Sequence, residues 1–342
     1  MREPNWLGDN IFTLPAVRRL RELFPEARLT ILVRSSLGSL WEMVPEVNDV
    51  IVHDLRGGWR DLKRKRVLIG MLRSRGFELA VIFPRSFESA LLIRLAGIPR
   101  RWGYAEEGRS LLLTRAVRSP LGYRNTHRID YYYRLIGGEE NSHPVPFARI
   151  VPSGDLLDRA WELLREETGY GGRGSLIGFH PRASYGPAKC WPLEKFARLA
   201  ELLVKKTGVP VLLFGSDEER DILRQVVEAA GAGVFNLAGK TNLKELAALI
   251  KLCRVFVAND SGPLHLAAAL GVPVVGIYGS TDPAATGPRG RGVRIIYKGV
   301  DCSPCLKRIC PTDFKCMEEI TPEEVMGQVE ELLDQEDVKM RE

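Results

Sequence analysis

"RVFVANDSGPLHLAAALGVPVVGIYGSTDP", residues 254–283, decides the fold. An apolar run, Val255 to Val257, ends at Asn259-Asp260-Ser261-Gly262. An alanine- and leucine-rich helix opens after Pro263, and a second apolar run, Val272 to Tyr278, ends in Gly279-Ser280-Thr281. Two short β-branched runs joined by a helix are one strand-helix-strand unit of a parallel sheet. Gly271 suits the left-handed turn that ends the helix, and Pro273 keeps it from continuing.

The same alternation extends outward. In the second half "SLIGFHP" (175–181), "VPVLLFGS" (209–216), "VFNLAG" (234–239), "VFVAND" (255–260) and "PVVGIYG" (273–279) read as strands. Helices are expected over 193–208, 217–230, 242–252 and 263–270. In the first half "LTILVR" (29–34), "DVIVH" (49–53) and "LAVIFP" (79–84) read as strands, with helices at 12–25, 39–45 and 58–75. Strand alternating with helix predicts a parallel sheet covered on both faces. The expected architecture is α/β: two doubly wound Rossmann-like domains facing a central cleft. They are expected over residues 1–150 and 175–342, the latter ending in a C-terminal helix, with a proline- and glycine-containing linker over 151–174.

At 342 residues, 45% hydrophobic and 27% charged, the chain can fill two cores and is too apolar for disorder. No apolar run approaches the roughly 18–20 residues of a membrane span, and no apolar core follows Met1-Arg2-Glu3-Pro4-Asn5 as a secretory signal would require. A cytoplasmic protein without a transmembrane segment is expected. Residues 1–150 carry 25 Lys+Arg against 16 Asp+Glu, a balance of +9 that leaves −3 for the rest of a chain of net charge +6. A basic half opposite a mildly acidic one predicts an anionic partner: nucleic acid, anionic lipid or a phosphorylated glycan.

Cys302, Cys305, Cys310 and Cys316 fall within fifteen residues, as C-x2-C-x4-C-x5-C, apart from Cys190 and Cys253. Four thiolates at this spacing can hold a structural zinc, pair as disulfides, or stand as free thiols. A cytosolic setting argues against disulfides.

In an open parallel sheet ligands bind beyond the carboxyl ends of the strands. "HPRASYGPAK", "GSDEE", "AGKTN", "NDSGPLH" and "GSTDP" all follow strands of the second half. The absence of a Walker loop and of G-x-G-x-x-G after a strand argues against P-loop NTPases and nicotinamide enzymes. The helix opening near Pro263 offers unpaired N–H groups and a positive dipole end, suited to a diphosphate. Asp260, Ser261, Gly262 and His265 line that start, and Lys189 supplies a mobile cation. Ser184, Tyr185, Gly215 and Ser216 lie on the converging loops, and Glu218 and Glu219 are placed to accept from ribose hydroxyls. Each has a plainer alternative: a cap for Ser261, packing for His265, first-turn acids for the glutamates.

"PNWLGDNIFTLPAVRRLRELFP", "FPRSFESALLIRLAGIPRRWGY", "PRASYGPAKCWP", "NLAGKTNLKELAALI" and the opening stretch occur in an order that resembles the ADP-heptose:lipopolysaccharide heptosyltransferases of glycosyltransferase family nine, most like its type II members. The resemblance runs from residue 4 to about 330. It implies a GT-B fold and inverting transfer of L-glycero-D-manno-heptose from ADP-heptose to the heptosyl-Kdo-lipid A inner core at the cytoplasmic face of the inner membrane. It implies no nucleic acid partner and no required cofactor, and leaves a divalent cation open. Asp9 is then the general base, Lys189 steadies the leaving phosphates, and Asp260 to His265 bind the donor, with Thr241 near the adenine. Trp6, Gly8, Arg85, Ser86 and Ser89 are implied on the acceptor side. A plainer role for Asp9 is a helix cap.

Two departures from the family pattern stand out. A basic residue and a short apolar strand usually precede "PNWLGD", so the first strand is expected to be short or missing. Arg182 stands where the family often has glycine. A type I or III acceptor choice, a GT-B nucleotide-sugar epimerase and a non-catalytic ADP-sugar-binding module are the alternatives.

Overall fold

The computed structural model describes residues 1–55, 61–119, 121–137 and 145–341, with side chains to 335. They divide into two compact units, Met1–Ala148 and Arg149–Glu342. The first contains α1 (Leu7–Leu23), β1 (Thr30–Arg34), α2 (Gly38–Trp41), β2 (Asp49–His53), α3 (Leu62–Ser74), β3 (Leu79–Ile82), α4 (Phe87–Leu95), β4 (Arg100–Tyr104), β5 (Arg115–Val117) and α5 (Arg128–Leu135).

β1 pairs with β2, and β3 with β4 and β4 with β5, all in parallel. The chain start joins the two groups. Arg2 bridges both Leu32 and Ile82 in parallel: its N–H donates to Val81 O at 2.9 Å, and Phe83 N–H donates to Arg2 O at 3.1 Å. On the other edge Leu32 N–H donates to Met1 O at 2.7 Å and Glu3 N–H to Leu32 O at 2.9 Å. The first strand is therefore short but not missing, because one extended residue exposes an N–H and a C=O to each neighbour. The resulting order is β2-β1-(1–3)-β3-β4-β5. Its two faces carry separate apolar clusters, one around Phe12, Phe83, Tyr104 and Tyr131 and one around Leu68, Leu72, Ile82 and Ile93.

The second unit contains α6 (Gly154–Thr168), β6 (Leu176–His180), α7 (Leu193–Thr207), β7 (Val211–Leu213), α8 (Arg220–Ala230), β8 (Val234–Asn236), α9 (Leu243–Leu252), β9 (Cys253–Asn259), α10 (Gly262–Ala269), β10 (Val274–Tyr278), α11 (Pro283–Thr286), β11 (Val293–Tyr297), α12 (Lys315–Glu318) and α13 (Pro322–Arg341). Six parallel strands run β8-β7-β6-β9-β10-β11. α7 shows why the pattern folds this way. Phe196, Leu199, Ala200 and Leu203 recur at helical spacing and are buried, and Gly208 ends the helix at φ 68°, its N–H donating to Val204 O. Each leucine or phenylalanine among them, fully buried, contributes about 1.5–3 kcal/mol.

Several boundaries differ from the sequence expectation. α1 begins at Leu7, not residue 12, and the expected linker over 151–174 holds α6, which packs on α9 within the second unit. Residues 217–219 form a 3₁₀ turn ahead of α8. α4, α5, β4, β5 and β11 were not anticipated, their strands being three to five residues and only partly buried. Of the helix expected over 58–75, residues 58–60 lie outside the described residues. Among the described residues no helix is long and apolar enough to cross a membrane.

Candidate active site

Both sheets reverse their order once, and the loops at that reversal are where a doubly wound fold binds ligands. In the second unit the reversal falls between β6 and β9. The loop after β6 carries Arg182 to Lys189, and that after β9 carries Asp260 and Ser261. Asn259, fully buried, staples the two: its Oδ1 accepts from Trp191 N–H at 2.9 Å and its Nδ2 donates to Pro181 O at 2.7 Å.

Asp260 is the hub of this half-site. Lys189 Nζ donates to its Oδ2 at 2.5 Å, Thr281 Oγ1 to the same oxygen at 2.7 Å, and His265 Nε2 lies 3.3 Å from Oδ1. Burial works against its charge, but the contacts from His265 and Lys189 outweigh it and hold the carboxyl well below the usual range. The ammonium expected to be mobile is thus pinned at the mouth of α10, its side chain 13% exposed. Ser261 is the N-cap of α10 but makes no side-chain cap bond, and its Oγ lies 3.3 Å from His180 Nδ1. Burial pushes the His180 imidazole down to about 4, so near pH 7 the ring is neutral. Here a hydroxyl, a neutral imidazole and the Lys189–Asp260 ion pair gather at the start of α10, whose dipole favours an anion.

The cysteine segment walls one side of this half-site. Tyr185 Oη donates to Leu306 O at 2.7 Å, Ala188 N–H to Arg308 O at 3.0 Å and Leu306 N–H to Ser280 O at 2.7 Å. The Lys189 ammonium and the Arg308 guanidinium stand 5.1 and 5.3 Å from the Tyr185 ring centre. All six cysteines are free. Among the described residues no group of three or more His, Cys, Asp or Glu is arranged to hold a metal ion. Of the three alternatives for the 302–316 thiols, the structure shows them as free thiols.

In the first unit the reversal falls between residues 1–3 and β3, so the loops in question are 4–6, leading into α1, and 83–86. Trp6 is the N-cap of α1 and Asp9 lies in its first turn, not at the cap. Asn10 fixes this entry: its Nδ2 donates to Pro4 O and Trp6 O, and its Oδ1 accepts from Trp41 Nε1 at 2.9 Å. Asp9 Oδ1 accepts from Tyr132 Oη at 3.0 Å and Tyr123 Oη at 3.3 Å. Arg85 pairs with Glu106 at 3.2 Å and lies over the Tyr123 ring, 4.0 Å from its centre. Arg109, fully buried, donates to Tyr104 O, Pro84 O and Ser86 O, clamping the loop that presents Arg85.

The remaining candidates sort by contact. Trp6 is 62% exposed. Gly8 follows it in the first turn of α1. Ser86 caps α4 by accepting from Ser89 N–H, and the two hydroxyls bond each other at 2.7 Å. Glu219 forms a capping box with Ser216, accepting from Ser216 N–H at 2.9 Å, and its other oxygen faces Arg182 at 3.8 Å. Glu218 and Ser184 are exposed, Gly262 opens α10, and Thr241 precedes the capping Asn242 of α9. A Cβ on Gly215 would stand 2.8 Å from Leu223 Cδ1 and 3.0 Å from Glu219 Oε2, so a side chain there would displace the capping glutamate or Leu223. Tyr123, Tyr132, Asn10 and Thr281 were not anticipated. The two tyrosines lie 114 and 123 positions from Asp9, and no local spacing signals that distance.

The profile of glycosyltransferase family 9 (heptosyltransferase) matches residues 66–315. The lipopolysaccharide heptosyltransferase 2 of Salmonella typhimurium is 30% identical, covering 98% of each chain, and that of Escherichia coli is likewise 30% identical over 98% of both. The solved structure of Escherichia coli ADP-heptose LPS heptosyltransferase II superposes with a TM-score of 0.84 at 28% identity over 98% of both chains. These likenesses bring the GT-B fold with them and give the epimerase and binding-module alternatives no support. The protein is a glycosyltransferase, and the chain belongs to glycosyltransferase family 9, the heptosyltransferases.

Proposed function

We propose that the protein transfers L-glycero-D-manno-heptose from ADP-heptose to the heptosyl-Kdo-lipid A inner core, with inversion, in lipopolysaccharide biosynthesis. The observation that carries this is Lys189 held on buried Asp260 at the N-terminus of α10, a preformed cationic seat for a leaving diphosphate. The relatives' substrates supply the chemical identity. Asp9 takes the proton of the acceptor hydroxyl as that oxygen attacks the anomeric carbon on the face opposite ADP. The bond from the anomeric carbon to the β-phosphate oxygen breaks, its electron pair leaves with ADP, and the developing charge is met by Lys189 and the α10 amides. The proton on Asp9 then passes to water.

Tyr185, Ser184, Ser261, Gly262 and His265 shape the donor seat, while Gly215, Ser216, Glu218, Glu219 and Thr241 border the nucleoside. Arg85, with Trp6, Gly8, Ser86 and Ser89, meets the anionic acceptor, and the +9 balance of residues 1–150 favours work at the cytoplasmic face of an anionic membrane. The test is incubation with ADP-heptose and Kdo-lipid A bearing one heptose, following ADP release and acceptor mass. A gain of one heptose is expected. Donor consumption without an acceptor product would overturn the transferase reading, and a gain only on acceptor lacking heptose would reassign the type.

A further inference from the structure

We propose that Tyr132 and Tyr123 are positioning residues for Asp9, their two hydroxyls converging on Oδ1 to fix the carboxylate's orientation and keep it ionised. This rests on the reading of Asp9 as the base. Tyr132 is 4% exposed, and a buried phenol without a partner is costly, so its bonds to Asp9 at 3.0 Å and to Tyr123 satisfy it. It extends from α5, which packs on α1, so the distance between base and tyrosine is set by two helices and not by a loop.

Tyr123 reaches the same oxygen from the segment before α5. Its ring lies under two guanidiniums, Arg128 at 3.7 Å and Arg85 at 4.0 Å from the centre. Arg128 also donates to the Tyr123 and Thr126 carbonyls. Cations over a phenol ring draw density from its oxygen and strengthen the O–H donor. Among the groups that face Asp9 are two phenols, with two arginines one layer behind and Glu106 bound to Arg85. Burial and the Asp9 charge hold the Tyr132 phenol well above its ordinary range, so at working pH it keeps the proton it donates to Asp9. Two such donors and the first-turn amides of α1 favour the ionised carboxyl. A side chain with its rotamer fixed is also spared the search for the geometry in which it meets a proton.

The test replaces the hydroxyls and keeps the rings: Tyr132→Phe, Tyr123→Phe and the double variant, compared with Asp9→Asn in the full chain. Loss of donors to an ionised carboxyl raises its affinity for protons. The acid limb of kcat/KM should therefore move up by about one pH unit in the double variant, with kcat down roughly tenfold or more and KM for ADP-heptose within twofold. A purely packing role would leave the limb in place. If the double variant melts early, Tyr123→Phe, whose ring stays under both arginines, carries the same readout. An inactive Asp9→Asn beside tyrosine variants with an unmoved limb overturns this inference alone. Full activity in Asp9→Asn overturns the base reading and this inference with it.

Discussion

Lys189 Nζ lies 2.5 Å from Asp260 Oδ2, and that carboxylate is 4% exposed. A charge this deep is tolerated only when paired and hydrogen-bonded. His265, Thr281 and Thr286 add to the shell, so Asp260 is held in place at the start of α10.

Asp260→Asn should therefore cost about 3 kcal/mol at pH 7, because it leaves a largely buried ammonium unpaired. The folded-state affinity of Asp260 for protons lies below its ordinary value of 3.8. Its stabilisation is present above that pH and lost as pH falls through the lower folded value. Denaturant titrations from pH 7 down to about 2 should show the gap between wild type and variant begin to narrow below 3.8 and go on narrowing with acid, and a constant gap would contradict the assignment.

Lys189→Ala removes the fixed cation from the diphosphate seat. A loss of about 10²–10³ in kcat is expected, since an electrostatic contact made to developing charge acts on the transition state. Calorimetry with ADP should show weaker binding. Unchanged kinetics would remove Lys189 from the chemistry.

Asp9→Asn keeps the shape of the side chain and deletes its basicity. Turnover should fall by about 10²–10⁴ while ADP-heptose binding and the melting temperature hold. A variant that binds donor poorly would point to a role for Asp9 in folding α1.

Gly186→Ala tests the seat's wall. Gly186 has φ 153°, and a Cβ there would stand 2.5 Å from Arg308 O. The 306–308 segment has to shift, carrying with it the bonds to Tyr185 and Ala188. An increase in KM for the donor is expected, with a stability loss of about 1–3 kcal/mol. Wild-type KM would separate the wall from donor binding.

Arg109→Met removes a guanidinium whose bonds go to Tyr104 O at the end of β4 and to Pro84 O and Ser86 O between β3 and α4. The loss should be about 3 kcal/mol. Weaker acceptor saturation should accompany it, since Arg85 sits between those carbonyls. Arg109→Lys should not restore it, because an ammonium cannot span the same fork.

What was legible in the sequence followed from local periodicity and turn chemistry. Val255 to Val257, the helix after Pro263 and Gly271 announce a parallel strand-helix-strand unit because each signal is complete within a few residues. Lys189, Asp260, Ser261 and His265 were legible as a set because strand ends in a parallel sheet share one edge, so polar loops after successive strands gather there. β4, β5 and β11 escaped, being short and only partly buried, with little alternation to read.

The α/β class, the doubly wound order and the loops at the ligand edge could be read from pattern along the chain. That residues 1–3 fill the centre of the first sheet, that Asp260 faces inward to pin Lys189, and that Tyr123 and Tyr132 hold Asp9 could not. Each of those is a bond between groups distant in sequence, from 29 positions for the Met1 amine and Thr30 O to 123 for Tyr132 and Asp9. Such partners are chosen by packing of whole elements, and no spacing within a segment encodes them.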